Sequence, residues 1–243
     1  MGQTIDRRQL KLDAKNSMRG RNPSVYVVTL VFLLILYVLG VLETRLIYPN
    51  MDAATFARMG QMTEEEVMAL YQSMIAQSPG FAVRALTTAI EIMGAMLGIG
   101  FTSFCLSVSR GQEASFGHLF DAFGNFLRLL LLVVLVSVFV FLWSLLLVVP
   151  GIIAAYRYSM AFFILLDDPD KSPMVCLRES KEMTRGHKME LFTLDLSFLG
   201  WYIISAIPFV SVYVRPYTTV TKANYYRALS GKWEEPVHID FDI

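Results

Sequence analysis

The sequence predicts an all-α fold: a polytopic membrane helical bundle of about six transmembrane helices, with amphipathic interfacial helices and both termini on the inner side. Three observations predict it. Of 243 residues, 55% are hydrophobic and only 17% are charged, which is too apolar for an ordinary soluble domain of that size. Six stretches approach the roughly 20 residues that a helix rising about 1.5 Å per residue needs to cross about 30 Å of hydrocarbon. The formal net charge is zero, but the basic residues are segregated along the chain, and that segregation matters more than the total.

Residues 1–24 form a basic segment carrying Arg7, Arg8, Lys11, Lys15, Arg19 and Arg21. The first apolar run, 25–42, has no small-x-small cleavage site behind it and is followed by further apolar segments, so it is expected to be a retained signal anchor. The other expected spans of a transmembrane domain covering 25–228 are 81–108, 126–149, 151–166, 191–207 and 209–225. The third contains "LLLLVVLVSVFVFLWSLLLVV", without a charge. The fourth is short, and the sixth is polar on one side. No low-complexity tract and no period of about 20 to 50 residues points to a repeat fold.

Orientation follows from the loops, because Lys and Arg collect on the inner side. Besides the leader, they gather after the fourth span (Lys171, Arg178, Lys181, Arg185, Lys188) and in the tail (Lys222, Arg227, Lys232), whereas the loop after the first span has only Arg45 and Arg58. Six spans with an inside amino terminus put all the basic segments on one face. Cys105 and Cys176 then both fall inside and are read as free thiols.

Outside, in the 43–80 loop, Thr63 and Glu66 have capping-box spacing. Val67, Leu70, Tyr71, Met74 and Ile75 repeat at helical intervals, which predicts an amphipathic helix that roofs the bundle or docks a protein. Inside, an interfacial helix is expected within 107–125, capped by Ser115 with Phe116, Leu119, Phe120 and Phe123 on one stripe. Its His118 and Asp121 are half of a metal site at most, since such sites need three or four donors. A second inner helix is expected within 167–190, starting at Ser172-Pro173 and stopping at Gly186; its alternating charges read as a solvated face or a partner-binding surface. Asp167, Asp168 and Asp170 before it lack the glycine and distal glutamate of a calcium loop, and a helix-ending turn explains them. Residues 229–243 form the tail.

Four stretches taken together, "RRQLKLDAKNSMRGRNPSVYVVTLV", "LWSLLLVVPGIIAAYRYSMAFFILLDDPDKSP", "SKEMTRGHKMELFTLDLSFLGW" and "RPYTTVTKANYYRAL", resemble the bacterial Domain of Unknown Function 975 family. The resemblance runs from about residue 7 to 230, leaving out 43–80. It implies a multi-pass protein of the bacterial cytoplasmic membrane with no established activity, cofactor or catalytic residue. Where the family often has Asn-Pro-Tyr, this chain has Arg215-Pro216-Tyr217. Ala154 stands where a basic residue is common, with Arg157 three places on.

Charges inside the expected spans are the candidate site, because an ionised group at the bilayer centre costs about 2.5 to 3.5 kcal/mol on insertion scales and normally faces the bundle and a partner. Helical rise from the expected outer turns puts Arg157 about 9 Å deep, Arg215 about 10 Å and Glu91 about 15 Å. An ion pair of Glu91 with one or both arginines is therefore expected, either fixing helix register or leaving surplus positive charge for an anion. Snorkelling of each arginine to the headgroups is the alternative. Ser211, Arg215, Thr218 and Lys222 share one face of the last span, with Tyr217 and Thr221 beside them, and Tyr156 and Tyr202 extend this polar interior. Gly94 and Gly98 have small-xxx-small spacing, suited to packing within the chain or to a homo-oligomer face.

No catalytic residue, metal site or cofactor site is expected, because His118, His187 and His238 lack ligand spacing and no glycine-rich phosphate loop is present. The expected partners are the lipid bilayer and another membrane protein, with no nucleic acid. Two functions remain open: a non-catalytic component that assembles with or regulates an envelope or transport protein, and a carrier or channel for a small anionic solute or lipid.

Overall fold

A computed structural model describes residues 5–48, 57–58, 60–76 and 79–231. Part of the expected outer loop (49–56, 59, 77 and 78) and most of the expected tail, with Lys232 and His238, lie outside the described residues. Among the described residues all regular structure is helical, as the composition predicts: α1 (Arg7–Met18), α2 (Val25–Ile47), α3 (Glu64–Ala76), α4 (Phe81–Ser109), a 3-10 turn (Phe116–Phe120), α5 (Asp121–Gly124), α6 (Phe126–Leu146), α7 (Val148–Tyr158), α8 (Ala161–Asp167), α9 (Pro173–Met183), α10 (Lys188–Leu196), α11 (Leu199–Ile204) and α12 (Pro208–Leu229).

Four segments are long and apolar enough to cross a membrane: Val25–Ile47, Phe81–Ser109, Phe126–Leu146 and Val148–Asp167. The fifth expected span is instead built from two short helices, α10 and α11. The sixth corresponds to α12, whose 22 residues suffice in length but carry Arg215, Lys222 and Arg227. Charge and Tyr/Thr content, not length, separate it from the four.

Several local predictions hold. Thr63 and Glu66 cap α3 reciprocally: the Thr63 amide donates to Glu66 Oε2 at 2.8 Å, and the Glu66 amide to Thr63 Oγ1 at 3.4 Å. The Thr63 backbone N–H, and then its hydroxyl, hold the Glu66 carboxyl below its ordinary range, since donors stabilise the anion. Ser172 Oγ accepts from the Val175 amide and Pro173 occupies the first turn of α9. Gly186 follows that helix at φ +90°, a conformation that glycine adopts without a Cβ clash. Cys105 and Cys176 are free and buried.

The chain divides into two compact units, Met1–Phe32 with Met96–Ile243, and Leu33–Ala95. In the first, α1 packs on α12, α6 on α7, and α9 on α6, α7 and α8. Its core is drawn from one end of each long helix: Val25, Val28, Thr29 and Phe32 of α2; Met96, Leu97, Phe101, Phe104 and Cys105 of α4; Leu129 and Leu132 of α6; and Val214, Tyr217, Val220, Ala223, Tyr225 and Tyr226 of α12. This is the basic end of the unit. Gly100 lets α4 come against the 3-10 turn, since a methyl group there would overlap the Leu119 carbonyl. The opposite, apolar end is bare: Leu145, Leu146, Leu147, Val148, Val149, Ile203 and Phe209 are all exposed. The second unit holds the remainder of α2 and α4 and all of the described α3, whose Val67 and Tyr71 are exposed.

Candidate functional site

The fourth apolar span is not one helix. It stops at Tyr158 and resumes at Ala161, and a break leaves backbone groups that need partners. Helix α9 supplies them. Ser180 Oγ donates to the Arg157 carbonyl at 2.8 Å and accepts from the Met160 amide at 3.2 Å, while Thr184 Oγ1 also donates to the Arg157 carbonyl at 3.3 Å. Pro173, Cys176, Leu177, Ser180 and Thr184 form the buried face of α9, opposite exposed Arg178, Lys181, Glu182 and Arg185. The expected solvated face therefore exists, but it is half of a helix whose other half braces a break. Burial pushes the Cys176 thiol up from its ordinary value, which disfavours the thiolate.

The Arg157 guanidinium lies over the Trp143 ring, 5.6 Å from its centroid. Its Nε is buried and has no hydrogen-bond partner among the described residues. The neighbouring Tyr156 hydroxyl donates to Asp195 Oδ2 at 3.2 Å, and Lys222 Nζ approaches Asp195 Oδ1 at 2.9 Å. This triad joins α7, α10 and α12. Sequence reasoning placed Tyr156 and Lys222 among the polar groups but missed Asp195. The signal was available, since a lone carboxylate in the apolar run 191–207 carries the same message as Glu91 in its own run.

Arg215 is exposed, with its guanidinium 5.5 Å from the Phe32 ring centroid. Within the first unit, then, each of the two arginines lies against an aromatic ring. Glu91 belongs to the second unit, where it is exposed on α4. Gly94 of that unit approaches Leu36 only at ordinary contact distance, 3.8 Å for an added Cβ, and Gly98 faces open space. The close approach on α4 is made by Gly100 instead.

The expected polar face of α12 is mostly closed. Thr218 Oγ1 donates to the Arg215 carbonyl and Thr221 Oγ1 to the Tyr217 carbonyl, on their own helix. Ser211 Oγ reaches the Ser205 carbonyl at 2.6 Å. Buried Tyr217 stands edge-on to Phe198 at 5.4 Å and to Trp201 at 6.3 Å, beside Tyr213 at 5.7 Å, and Tyr213 also stacks on Tyr26 at 5.9 Å. Tyr202 is exposed, 6.4 Å from the Phe198 ring. Where the sequence suggested a hydroxyl-lined interior, the structure has an aromatic cluster.

The basic end is knitted by polar groups. Ser109 Oγ donates to Asn224 Oδ1 at 2.7 Å and Asn224 Nδ2 to the Leu10 carbonyl at 3.2 Å; Arg21 Nη2 reaches the Val108 carbonyl at 3.0 Å. The three aspartates of "DDPDKS" go to separate partners: Asp167 to Arg110 and the Tyr226 hydroxyl, Asp168 to Lys171, and Asp170 to Arg128. Asp121 accepts from Ser103, and His118 is engaged with Ser115. Among the described residues no group of three or more His, Cys, Asp and Glu side chains has the placement to hold a metal ion.

Residues 145–232 match the family described as Protein of unknown function (DUF975), the same family that the motifs resemble. The match starts in the α6–α7 hairpin and contains the helix break, α9, Asp195 and the aromatic cluster. It leaves out the amino-terminal motif that also carried the resemblance. No curated protein and no solved structure matches the chain.

Proposed function

We propose that this chain is a non-catalytic, multi-pass component of a bacterial cytoplasmic membrane that assembles with or regulates another envelope or transport protein. The observation that carries this reading is the two-sidedness of α9. One face holds the Arg157–Met160 break through Ser180 and Thr184, and the other offers Arg178, Lys181, Glu182 and Arg185 to water. A partner bound to the charged face thereby gains a mechanical route into the span. The test is R178E/K181E/R185E, which leaves the buried face intact. A membrane protein that co-purifies in fixed stoichiometry with the wild type and is lost from this variant, at unchanged melting temperature, supports the reading; unchanged co-purification of every such protein ends it. The six-span topology with both termini inside is part of the proposal, and labelling of a cysteine at Gln72 from the outer side checks it.

A carrier or channel for a small anionic solute or lipid is the second reading, favoured by the buried Arg157 Nε that lacks a hydrogen-bond partner among the described residues. Water access at cysteines placed at Thr218 and Tyr156 would support it. The expected pairing of Glu91 with Arg157 is tested separately: strictly additive losses of E91Q, R157Q and the double variant would show that the two charges do not interact.

A further inference from the structure

The amino-terminal helix α1 has a two-faced sequence. Leu10, Asp13, Ala14 and Met18 are buried, and Asn224 of α12 bonds the Leu10 carbonyl. Arg7, Arg8, Lys11 and Lys15 project from the remaining surface. Lys11 Nζ donates to Ser197 Oγ at 2.7 Å, in the link between α10 and α11, and stands 4.1 Å from the Phe198 ring centroid. Lys15 stands 5.6 Å from the centroid of the Tyr217 ring. Thus α1 lies across the bundle at the level of the Phe198, Trp201, Tyr213 and Tyr217 cluster. Beyond that level, Ile203, Ile204, Ile207 and Phe209 are exposed apolar side chains.

Tyrosine and tryptophan concentrate where hydrocarbon meets headgroups, and basic side chains on the inner side meet anionic lipid there. At this level Asp6, Arg7, Arg8, Lys11 and Ser197 line a cleft of about 250 Å³. Asp6 is occupied in capping the Arg8 amide at 2.8 Å, and no ion pair to Arg7, Arg8 or Lys11 exists among the described residues. Burial and the Arg7 and Lys15 charges pull Lys11 down from its ordinary value, a repulsion that an anion relieves. Exposed Leu12, Leu196 and Leu199 flank the cleft in sequence, as acyl chains require.

We infer that the Arg7, Arg8, Lys11 and Ser197 cleft binds the phosphate headgroup of an anionic phospholipid of the inner leaflet. The shared chemistry is a phosphate oxyanion met by two guanidiniums and the Lys11 ammonium, which the Ser197 hydroxyl oxygen holds in place while its proton goes to the Leu194 carbonyl, and the apolar flank selects the lipid over free phosphate. The inference rests on the multi-pass reading with an inner amino terminus. Resistance of the chain to alkaline extraction from membranes checks that reading by itself.

The test uses the full chain in an uncharged detergent, with its melting temperature titrated by phosphatidylglycerol, phosphatidylcholine or inorganic phosphate. Phosphatidylglycerol alone is expected to raise it. R7Q/R8Q is expected to need about 25-fold more of that lipid for the same shift, at about fivefold per basic residue. R19Q, at the far end of α1, is expected to titrate as the wild type does. An R7Q/R8Q curve equal to wild type, an equal shift from inorganic phosphate, or an equal loss in R19Q overturns the inference and leaves the membrane reading standing.

Discussion

Helix α6 carries leucines near both ends, and the two ends pack differently. At the basic end one face is fully buried, at Leu129 and Leu132, although Leu127 and Leu131 beside it are exposed, whereas the other end buries no face, with Leu145 and Leu146 66% and 70% exposed. In water the second group would be a sticky patch demanding a cover; in hydrocarbon it is simply solvated. Residue type therefore does not decide which end packs. Where lipid is the solvent, helices gain nothing from hiding apolar surface from one another, and packing follows close contact and polar satisfaction. The basic end has both, in Gly100 against the 3-10 turn and in the Ser109–Asn224–Leu10 and Arg110–Asp167–Tyr226 contacts.

The sharpest way to break this comparison is to truncate one leucine at each end. L132A is expected to lower stability by about 2 to 5 kcal/mol, as cavity-forming core substitutions do, while L146A leaves the melting temperature of the purified chain nearly unchanged. Equal effects would mean that the two ends share one environment. Next comes V138K, midway along α6 on a side chain that is 47% exposed. A surface site in water tolerates lysine within about 0.5 kcal/mol, but a lipid-facing site at a span centre is penalised by about 2.5 to 3.5 kcal/mol on insertion. Membrane insertion of the variant, measured by glycosylation mapping, reads the difference directly.

A smaller effect probes the brace. S180A removes the donor to the Arg157 carbonyl and the acceptor for the Met160 amide, and is expected to cost about 1 to 3 kcal/mol in thermal melting. S180T, which keeps a hydroxyl, is expected to recover part of the loss. The smallest effect belongs to the second unit. The Glu66 carboxyl is held below its ordinary value of 4.5 by Thr63, so its contribution to the α3 cap is complete above that pH and fades as pH falls through the lowered value. Hydrogen exchange at the Glu66 and Val67 amides should accelerate relative to the α4 amides across that window, and T63A should abolish the pH dependence.

Much of the local structure was legible in the sequence because its causes are local. The capping box at Thr63, the Ser172-Pro173 start and the Gly186 stop depend on residues within a turn of one another. The long apolar runs depend only on composition. The divided fourth span was hidden, since 151–166 reads as one apolar run and the groups that make a break tolerable, Ser180 and Thr184, lie twenty or more residues on. The site was read in part for a related reason. Depth along a span follows from helical rise, which put Tyr156 and Arg157 at one level. Azimuth and partner do not follow, so Asp195 and the rings beside both arginines were missed.

By itself the sequence determined a helical architecture with apolar segments long enough to cross a membrane and segregated basic segments, because solvent preference is a property of each residue and adds along the chain. The tertiary structure alone decided which leucines pack, where a helix stops inside an apolar run and what lies against each charge. Those outcomes depend on side chains arriving from elements far apart in sequence, and no count along one segment contains them.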